Sequence, residues 1–167
     1  MSAKLREITQ NDLEVVFNAH LNGRNSYALL HAMLGYSLSE LKSEYGSSTR
    51  PPYKELIVED GAKPLGLIRL GPEDSVSKTV RLQPFMVSAG GAEEEGLSQC
   101  VADVMDQMML YNNISRFYCF LLETETAEAG ILRQNGFDVE AVLRGHVYLQ
   151  GEYENLLILG KNFGGMR

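Results

Sequence analysis

Ile131-Leu132-Arg133-Gln134-Asn135-Gly136-Phe137 is the stretch on which the fold turns. Ala127, Ile131 and Leu132 recur at helical spacing, so Glu125–Asn135 reads as a short helix. Gly136 stops it, because glycine enters the left-handed conformation that closes a helix without a Cβ penalty. Asp138–Leu149 and Tyr153–Lys161 follow as two strand-like runs separated by Gln150-Gly151. A glycine in a short connection between such runs predicts a hairpin with a tight turn. A helix ending directly in a hairpin is thus predicted for the C-terminal third.

Working back towards the N-terminus, Arg116–Leu122 reads as a buried strand. A long helix is predicted from about Glu93 to Tyr111, with Leu97, Val101, Val104, Met105 and Met108 as its apolar stripe. Gly90-Gly91 separates it from a strand over Thr79–Val87. Val80 and Leu82 mark one face of that strand. Pro84 predicts a slip in the alternation, after which Phe85 and Val87 continue it. Leu65–Leu70 and Lys54–Glu59 are two more strands, joined by the turn signal Asp60-Gly61. Lys4–Ile8 is a short first strand. Thr9-Gln10-Asn11-Asp12 then forms a helix cap with its acid three residues on, and a helix runs to about Leu21. Further helices are predicted over Tyr27–Leu34 and Ser37–Tyr45, and a loop over Gly46–Pro52. The order is one strand, helices, three strands, helix, strand, helix and two strands. It predicts an α/β protein, in the mixed α+β sense. A mostly antiparallel sheet of six to seven strands should carry helices on both faces. Residues 1–161 form one domain in this reading, and residues 162–167 a frayed, glycine-rich tail.

Composition narrows the function classes. With 167 residues, 44% hydrophobic and 22% charged, the chain can bury a core without staples. A net charge of −7 and no run of Lys and Arg predict neither a nucleic-acid nor an anionic membrane partner. The same charge suits a cationic ligand. Cys100 and Cys119 lack metal-ligand spacing and sit among apolar residues, so buried free thiols are expected and no metal site. Met1–Arg6 has no apolar signal core, and a cytoplasmic location follows.

The helix end Ile131–Phe137, followed by Glu140, Leu143-Arg144, His146-Val147-Tyr148, Gly151, Tyr153 and Leu159, resembles a known signature. It is similar to the C-terminal region of the GNAT (acyl-CoA N-acyltransferase) superfamily, in the branch of ribosomal-protein N-terminal and spermidine acetyltransferases. The close resemblance covers about 35 residues, and element order extends it over the chain. It implies that the strand over Thr79–Val87 splays from Arg116–Leu122. The gap then takes the pantetheine arm of acetyl-CoA, and the following helix start takes the pyrophosphate. Phe85, Met86, Val87, Gly91, Gly96, Leu97 and Ser98 become the cofactor-binding residues, with a backbone N–H near Met86-Val87 as oxyanion donor. The phosphate loop of the family, Q/R-x-x-G-x-G/A, is matched by Glu93-Glu94-Glu95-Gly96-Leu97-Ser98. Glu93 stands where Gln or Arg is usual and is expected to repel a pyrophosphate. Glu125 replaces a cofactor-contacting Asn. Leu132 replaces the Tyr that protonates the leaving thiolate.

Acyl transfer to an amine often uses a base. Glu123, at the end of its strand, and Tyr118 are the candidates, with a solvated loop acid and core packing as their alternatives. Arg144, His146 and Tyr148 share one strand face and are read as hairpin structure or substrate lining. His20 and His31 are read as structural. The resemblance implies an acetyl-CoA-dependent N-acetyltransferase acting on a primary amine: a protein N-terminus, a polyamine or an amino sugar. The competing reading is a degenerate binding or assembly protein on the same fold, with weak or no CoA binding. A homodimer through the C-terminal hairpin is expected.

Overall fold

The computed structural model describes residues 3–22, 38–39, 42–43, 54–87, 91–149 and 151–164. The predicted helix over Tyr27–Leu34, the loop Gly46–Pro52 and His31 lie outside these residues. Of the helix predicted over Ser37–Tyr45, Leu38, Ser39, Lys42 and Ser43 are described and are helical.

The elements are β1 (Lys4–Glu7), a 3-10 turn (Gln10–Asp12), α1 (Leu13–Asn22), β2 (Lys54–Asp60), β3 (Lys63–Leu70) and β4 (Thr79–Met86). They continue as α2 (Gly91–Asn112), β5 (Arg116–Leu122), α3 (Thr126–Gln134), β6 (Asp138–Leu149) and β7 (Glu152–Asn162). All strands join one seven-stranded sheet in the order β1-β2-β3-β4-β5-β7-β6. Every neighbouring pair is antiparallel except β4 and β5. The sheet is therefore mixed and mostly antiparallel, as its element order predicts.

Local chemistry explains the element boundaries. The Asp12 carboxylate accepts from the Thr9 N–H at 2.8 Å and the Thr9 hydroxyl at 2.7 Å, capping the 3-10 turn that leads into α1. Arg6 on β1 grips the same carboxylate through two nitrogens at 2.7 and 2.8 Å. That grip, with the Thr9 bonds, holds the Asp12 carboxyl well below the usual carboxylate range. At the other end of the chain, Gly136 has φ +78°. The Gly136 N–H donates to Arg133 O at 2.9 Å and the Phe137 N–H to Leu132 O at 3.0 Å. These two bonds close α3 as a Schellman motif, the stop that Gly136 predicts.

Burial divides the molecule into two faces. On one, Leu97, Cys100, Val101, Val104 and Met105 of α2 pack with Ile131 and Leu132 of α3 over Val80, Leu82, Met86, Phe117 and Cys119. On the other, Val16 of α1 packs on Ile57, Leu67 and Phe85. Helices thus cover both faces. Glu55 and Arg69, a cross-strand pair on β2 and β3, form an ion pair sealed from water, and the Arg69 guanidinium lies 5.7 Å from the Phe85 ring centroid.

Three expectations change. No slip occurs at Pro84, because β4 keeps an unbroken register against β3 from Gly66↔Met86 to Leu70↔Leu82. Both faces of β4 are buried, so the sequence shows apolar residues on each and mimics a slip. The alternation expected to align Arg144, His146 and Tyr148 is interrupted, since the register shifts between Leu143 and Val147, with Gly145 at φ +55°. The chain also stays docked beyond Lys161. Arg116 donates to Asn162 Oδ1 at 3.0 Å, the Phe163 N–H donates to Ser115 O at 2.7 Å, and the Phe163 ring packs edge-on against Phe117.

Gly151, after the undescribed Gln150, sits at the hairpin with φ +93°, and a Cβ there meets nothing within 4 Å. The cost of a side chain is therefore backbone strain alone. Gly151→Val is expected to destabilise by about 1–2 kcal/mol, lowering the melting temperature by roughly 2–8 °C. An unchanged melting temperature contradicts this account of the turn.

Candidate functional site

The parallel pairing of β4 with β5 covers Thr79↔Arg116, Val80↔Phe117 and Arg81↔Tyr118 and then ends. Beyond it the strands part, leaving Leu82–Met86 and Cys119–Leu122 as the walls of a wedge. The hydrogen-bonding phase of each wall decides which main-chain groups face it. The Val87 N–H donates to Leu65 O at 3.2 Å, and Gly71 N–H to Arg81 O at 2.8 Å. Odd-numbered β4 residues therefore bond to β3, and even-numbered ones turn their main-chain groups into the wedge. On β5 the Glu123 N–H donates to Asn155 O on β7 at 3.0 Å, while the Arg116 N–H reaches Lys78 O at 3.2 Å on the β4 side. Even-numbered residues face the wedge there too.

Pro84 fits this phase, because the N–H that it lacks would have pointed into the wedge, where no strand answers. Of the amides that point inward beyond the last pair, those of Met86 and Leu122 are answered from the start of α3. The Met86 N–H donates to Glu128 Oε1 at 3.2 Å. The Leu122 N–H donates to Glu125 Oε2 at 2.6 Å. In the same throat Gln83 is fully buried. Its Oε1 accepts from Cys119 Sγ at 3.2 Å, and its Nε2 has no partner among the described residues. The wedge thus offers a set of donors that belong to no strand ladder. An unpartnered buried amide nitrogen and an amide held by a displaceable carboxylate suit a ligand rich in carbonyl oxygens.

Glu125 is 6% exposed. Burial pushes its carboxyl up to about 9, against the opposing pull of the Leu122 N–H, and Glu128 and Glu154 add to the rise. It is therefore a neutral acid at pH 7. Cys119 shares this environment, and burial followed by the charge of Glu125 raises its thiol well above the usual value. Both cysteines are free and buried, as expected.

The residues anticipated from the sequence separate into groups. Met86 lies at the wedge, with its amide turned in. The Val87 amide is bonded to β3, and Phe85 packs beneath Arg69 on the opposite face. Gly91 opens α2, so the N–H groups of Gly91–Glu94 lack carbonyl partners within the helix. Gly96 and Leu97 lie deeper in the helix and are buried. A Cβ at Gly96 would meet Leu65 Cδ1 at 2.9 Å, which makes this glycine a contact between α2 and β3. Ser98 Oγ accepts from Asn135 Nδ2 at 2.9 Å and ties α2 to the end of α3. Leu132 is fully buried in the core.

Glu93 does not stand as a free charge. Lys63, at the start of β3, donates to its Oε1 at 2.7 Å, and this bond lowers the Glu93 carboxyl below its ordinary value. Glu123 is exposed and accepts from Asn155 Nδ2 at 2.8 Å, while Asn155 Oδ1 accepts from the Gly145 N–H at 2.8 Å. It braces the bulge of β6. The Tyr118 ring stacks edge-on against Phe120 at 5.7 Å. His146 is exposed, and nothing is described of the His20 side chain. No metal-binding cluster is present among the described residues.

The sequence reading missed Glu128, Gln83 and Lys63. A glutamine inside an apolar strand, Leu82-Gln83-Pro84-Phe85, and acids at i and i+3 of a helix start were the available signals. Neither shows that the two acids meet amides from separate strands.

No family model and no curated protein matches the sequence. Solved structures match it closely in shape. The spermidine N-acetyltransferase of Vibrio cholerae in complex with CoA and spermine aligns with a TM-score of 0.76 at 18% identity, covering 96% of this chain and 95% of that one. A dodecameric structure of that enzyme in an intermediate state gives 0.77 at 18% identity, with 96% and 94% covered. A chimera of the enzyme with hSSAT gives 0.78 at 17% identity, with 98% and 96% covered. The chain therefore has the fold of these acetyltransferases, the GNAT fold expected from its C-terminal third.

The buried acid carries a stability signature. The native state holds a proton on Glu125 that the unfolded chain releases above its ordinary value of 4.5, so the native state loses ground as pH rises from there towards about 9. Glu125→Gln keeps an oxygen for the Leu122 N–H and has no proton to lose. The variant is expected to gain on the wild type between pH 5 and 8, by on the order of 3 kcal/mol at pH 7. Chemical denaturation across that range checks it, and parallel curves for the two proteins would rule the buried acid out.

Proposed function

We propose that this protein is an acetyl-CoA-dependent N-acetyltransferase acting on a primary amine, with the wedge between β4 and β5 as its acyl-donor site. The observation that carries the reading is the Met86 N–H, turned out of the β3 ladder and into the wedge. A carboxylate oxygen on that amide stands where a thioester carbonyl oxygen would sit. Glu128 must give way for the thioester to bind. Met86 would then stabilise the negative charge that develops on the carbonyl oxygen as the amine attacks. The N–H groups of the first turn of α2 suit the pyrophosphate. Lys63 holds the Glu93 charge, which removes much of the repulsion that the three consecutive acids would otherwise create.

A polyamine is the favoured acceptor, ahead of a protein N-terminus or an amino sugar. The net charge of −7 attracts a polycation, and a fold neighbour was solved with CoA and spermine. We place the enzyme in the cytoplasm, where free thiols such as Cys100 and Cys119 persist. Among the described residues no helix is long and apolar enough to cross a membrane. We also propose a homodimer through β6. This strand lies at the sheet edge and exposes Val139, Val142 and Leu143, next to the Tyr148 and Tyr153 rings, which meet at a tilt. A monomeric mass by light scattering at high concentration would refute the dimer.

The function is tested by calorimetric titration with acetyl-CoA and by release of CoA thiol in the presence of spermidine. Saturable binding and amine-dependent thiol release are expected. Binding without turnover would favour the degenerate reading, to which Leu132 in place of a tyrosine lends weight. No binding at millimolar acetyl-CoA would end both. Glu128→Ala frees the Met86 amide of its internal competitor and is expected to tighten CoA binding by about 1 kcal/mol, roughly fivefold. Unchanged affinity would mean that the thioester does not use this amide.

A further inference from the structure

We infer that Glu125 is the catalytic acid that delivers a proton to the leaving sulfur, a role that rests on the acetyltransferase reading. Three observations on geometry support it. Met86 lies five residues past the last β4–β5 pair, Arg81↔Tyr118, and Leu122 four, and their inward amides mark the two walls of the wedge. If the carbonyl oxygen takes the Met86 wall, the thioester lies across the wedge from the Leu122 wall, where Glu125 is anchored. Next, Glu125 is fixed. It precedes α3, its Oε2 is held by the Leu122 N–H at 2.6 Å, and its own N–H donates to Leu122 O at 3.0 Å. Finally, Oε1 has no partner among the described residues, yet it is not sealed from solvent. One oxygen is anchored and the other is free to carry a proton at the edge of the wedge.

The groups around it favour the protonated form. Glu128 on α3 and Glu154 on β7 add negative charge, and burial adds the larger share. On the β5 wall Cys119 is held as a neutral thiol. Arg81 on β4 is the nearby cation that acts on Cys119 in the opposite sense. A carboxyl that titrates at about 9 lies close to an ordinary thiol, near 8.5, so proton transfer to a departing thiolate is close to isoenergetic.

The step balances. The amine nitrogen forms its bond to the carbonyl carbon, and the pair of the C=O π bond moves to oxygen at the Met86 N–H. On collapse that pair re-forms the carbonyl and the C–S bond breaks. Its electron pair goes to sulfur, which takes the proton from Glu125 Oε1. CoA leaves as the thiol, the product nitrogen gives its extra proton to solvent, and the Glu125 carboxylate regains a proton from solvent.

The test compares wild type with Glu125→Gln, which keeps the Leu122 contact but has no acidic proton. We expect kcat to fall about a hundredfold or more, with KM and the calorimetric Kd for acetyl-CoA within about twofold. The wild-type kcat is expected to fall above about pH 9, and the variant is expected to lose that limb. Glu125→Asp, a shorter acid, is expected to recover part of kcat and, should the Gln protein fail to fold, replaces it in the comparison. A Gln variant with wild-type kcat and an unaltered alkaline limb overturns the inference while leaving the acetyltransferase reading intact. Wild type with neither binding nor turnover overturns both.

Discussion

The structure depends on how it meets the loss of main-chain pairing where β4 and β5 part. A sheet that opens in its middle leaves amides without partners, and a buried unpaired amide costs on the order of 1–3 kcal/mol. The last parallel pair is Arg81↔Tyr118. Beyond it one wall presents the Met86 N–H and the other the Leu122 N–H, and both are answered from the start of α3. Pro84 reduces the demand, because it brings no N–H to the open side. The opening is thus stable without a ligand, yet it is held by two side chains rather than by a ladder. That is the condition for a site into which an extended, amide-bearing molecule can insert.

The rest of the molecule fixes where α3 begins. Its far end is locked by the Schellman bonds at Gly136, by Lys161 donating to Asn135 O at 2.7 Å, and by Asn135 donating to Ser98 on α2. Ala129, Ile131 and Leu132 anchor its inner face in the large core. A short helix secured at its C-terminal end and along one face presents its first turn at a defined height in the wedge. Leu132 belongs to that anchoring. Where the resemblance implies a proton-donating tyrosine, this chain uses the position for packing, and a buried carboxyl, Glu125, sits on the turn before α3.

Sequence and structure agree wherever the signal is local. The stop at Gly136, the cap around Thr9 and Asp12, the turn at Asp60-Gly61 and the stripe of α2 each follow from residues within a few positions of one another. The order of those elements was enough to give a mixed, mostly antiparallel sheet. The wedge itself came from resemblance, since nothing in the pattern of β4 or β5 says that two neighbouring strands diverge. Signals were misread where burial is two-sided or partners are distant. Pro84 looked like a slip because Val80, Leu82 and Met86 fill one core while Phe85 fills the other. Glu93 looked like an unopposed charge because its partner, Lys63, lies across the fold. Asn162 and Phe163 looked frayed because their contacts, Arg116, Ser115 and Phe117, are remote in sequence. Glu125 stood in the sequence only as the replacement of a cofactor-contacting Asn and Glu128 drew no reading, and only the hydrogen-bonding phase of two strands shows what they hold.

The central claim is that the Met86 amide, released by the parting of β4 and β5, receives the acyl donor. Its most direct measurement is the ¹⁵N–¹H spectrum of the labelled protein during titration with acetyl-CoA. The account requires a saturable shift at Met86, with Leu122 responding on the opposite wall as Glu128 is displaced. Val87, bonded to Leu65, should move far less. Saturation of resonances elsewhere while Met86 and Leu122 stay fixed would contradict the account and place the donor site outside the wedge.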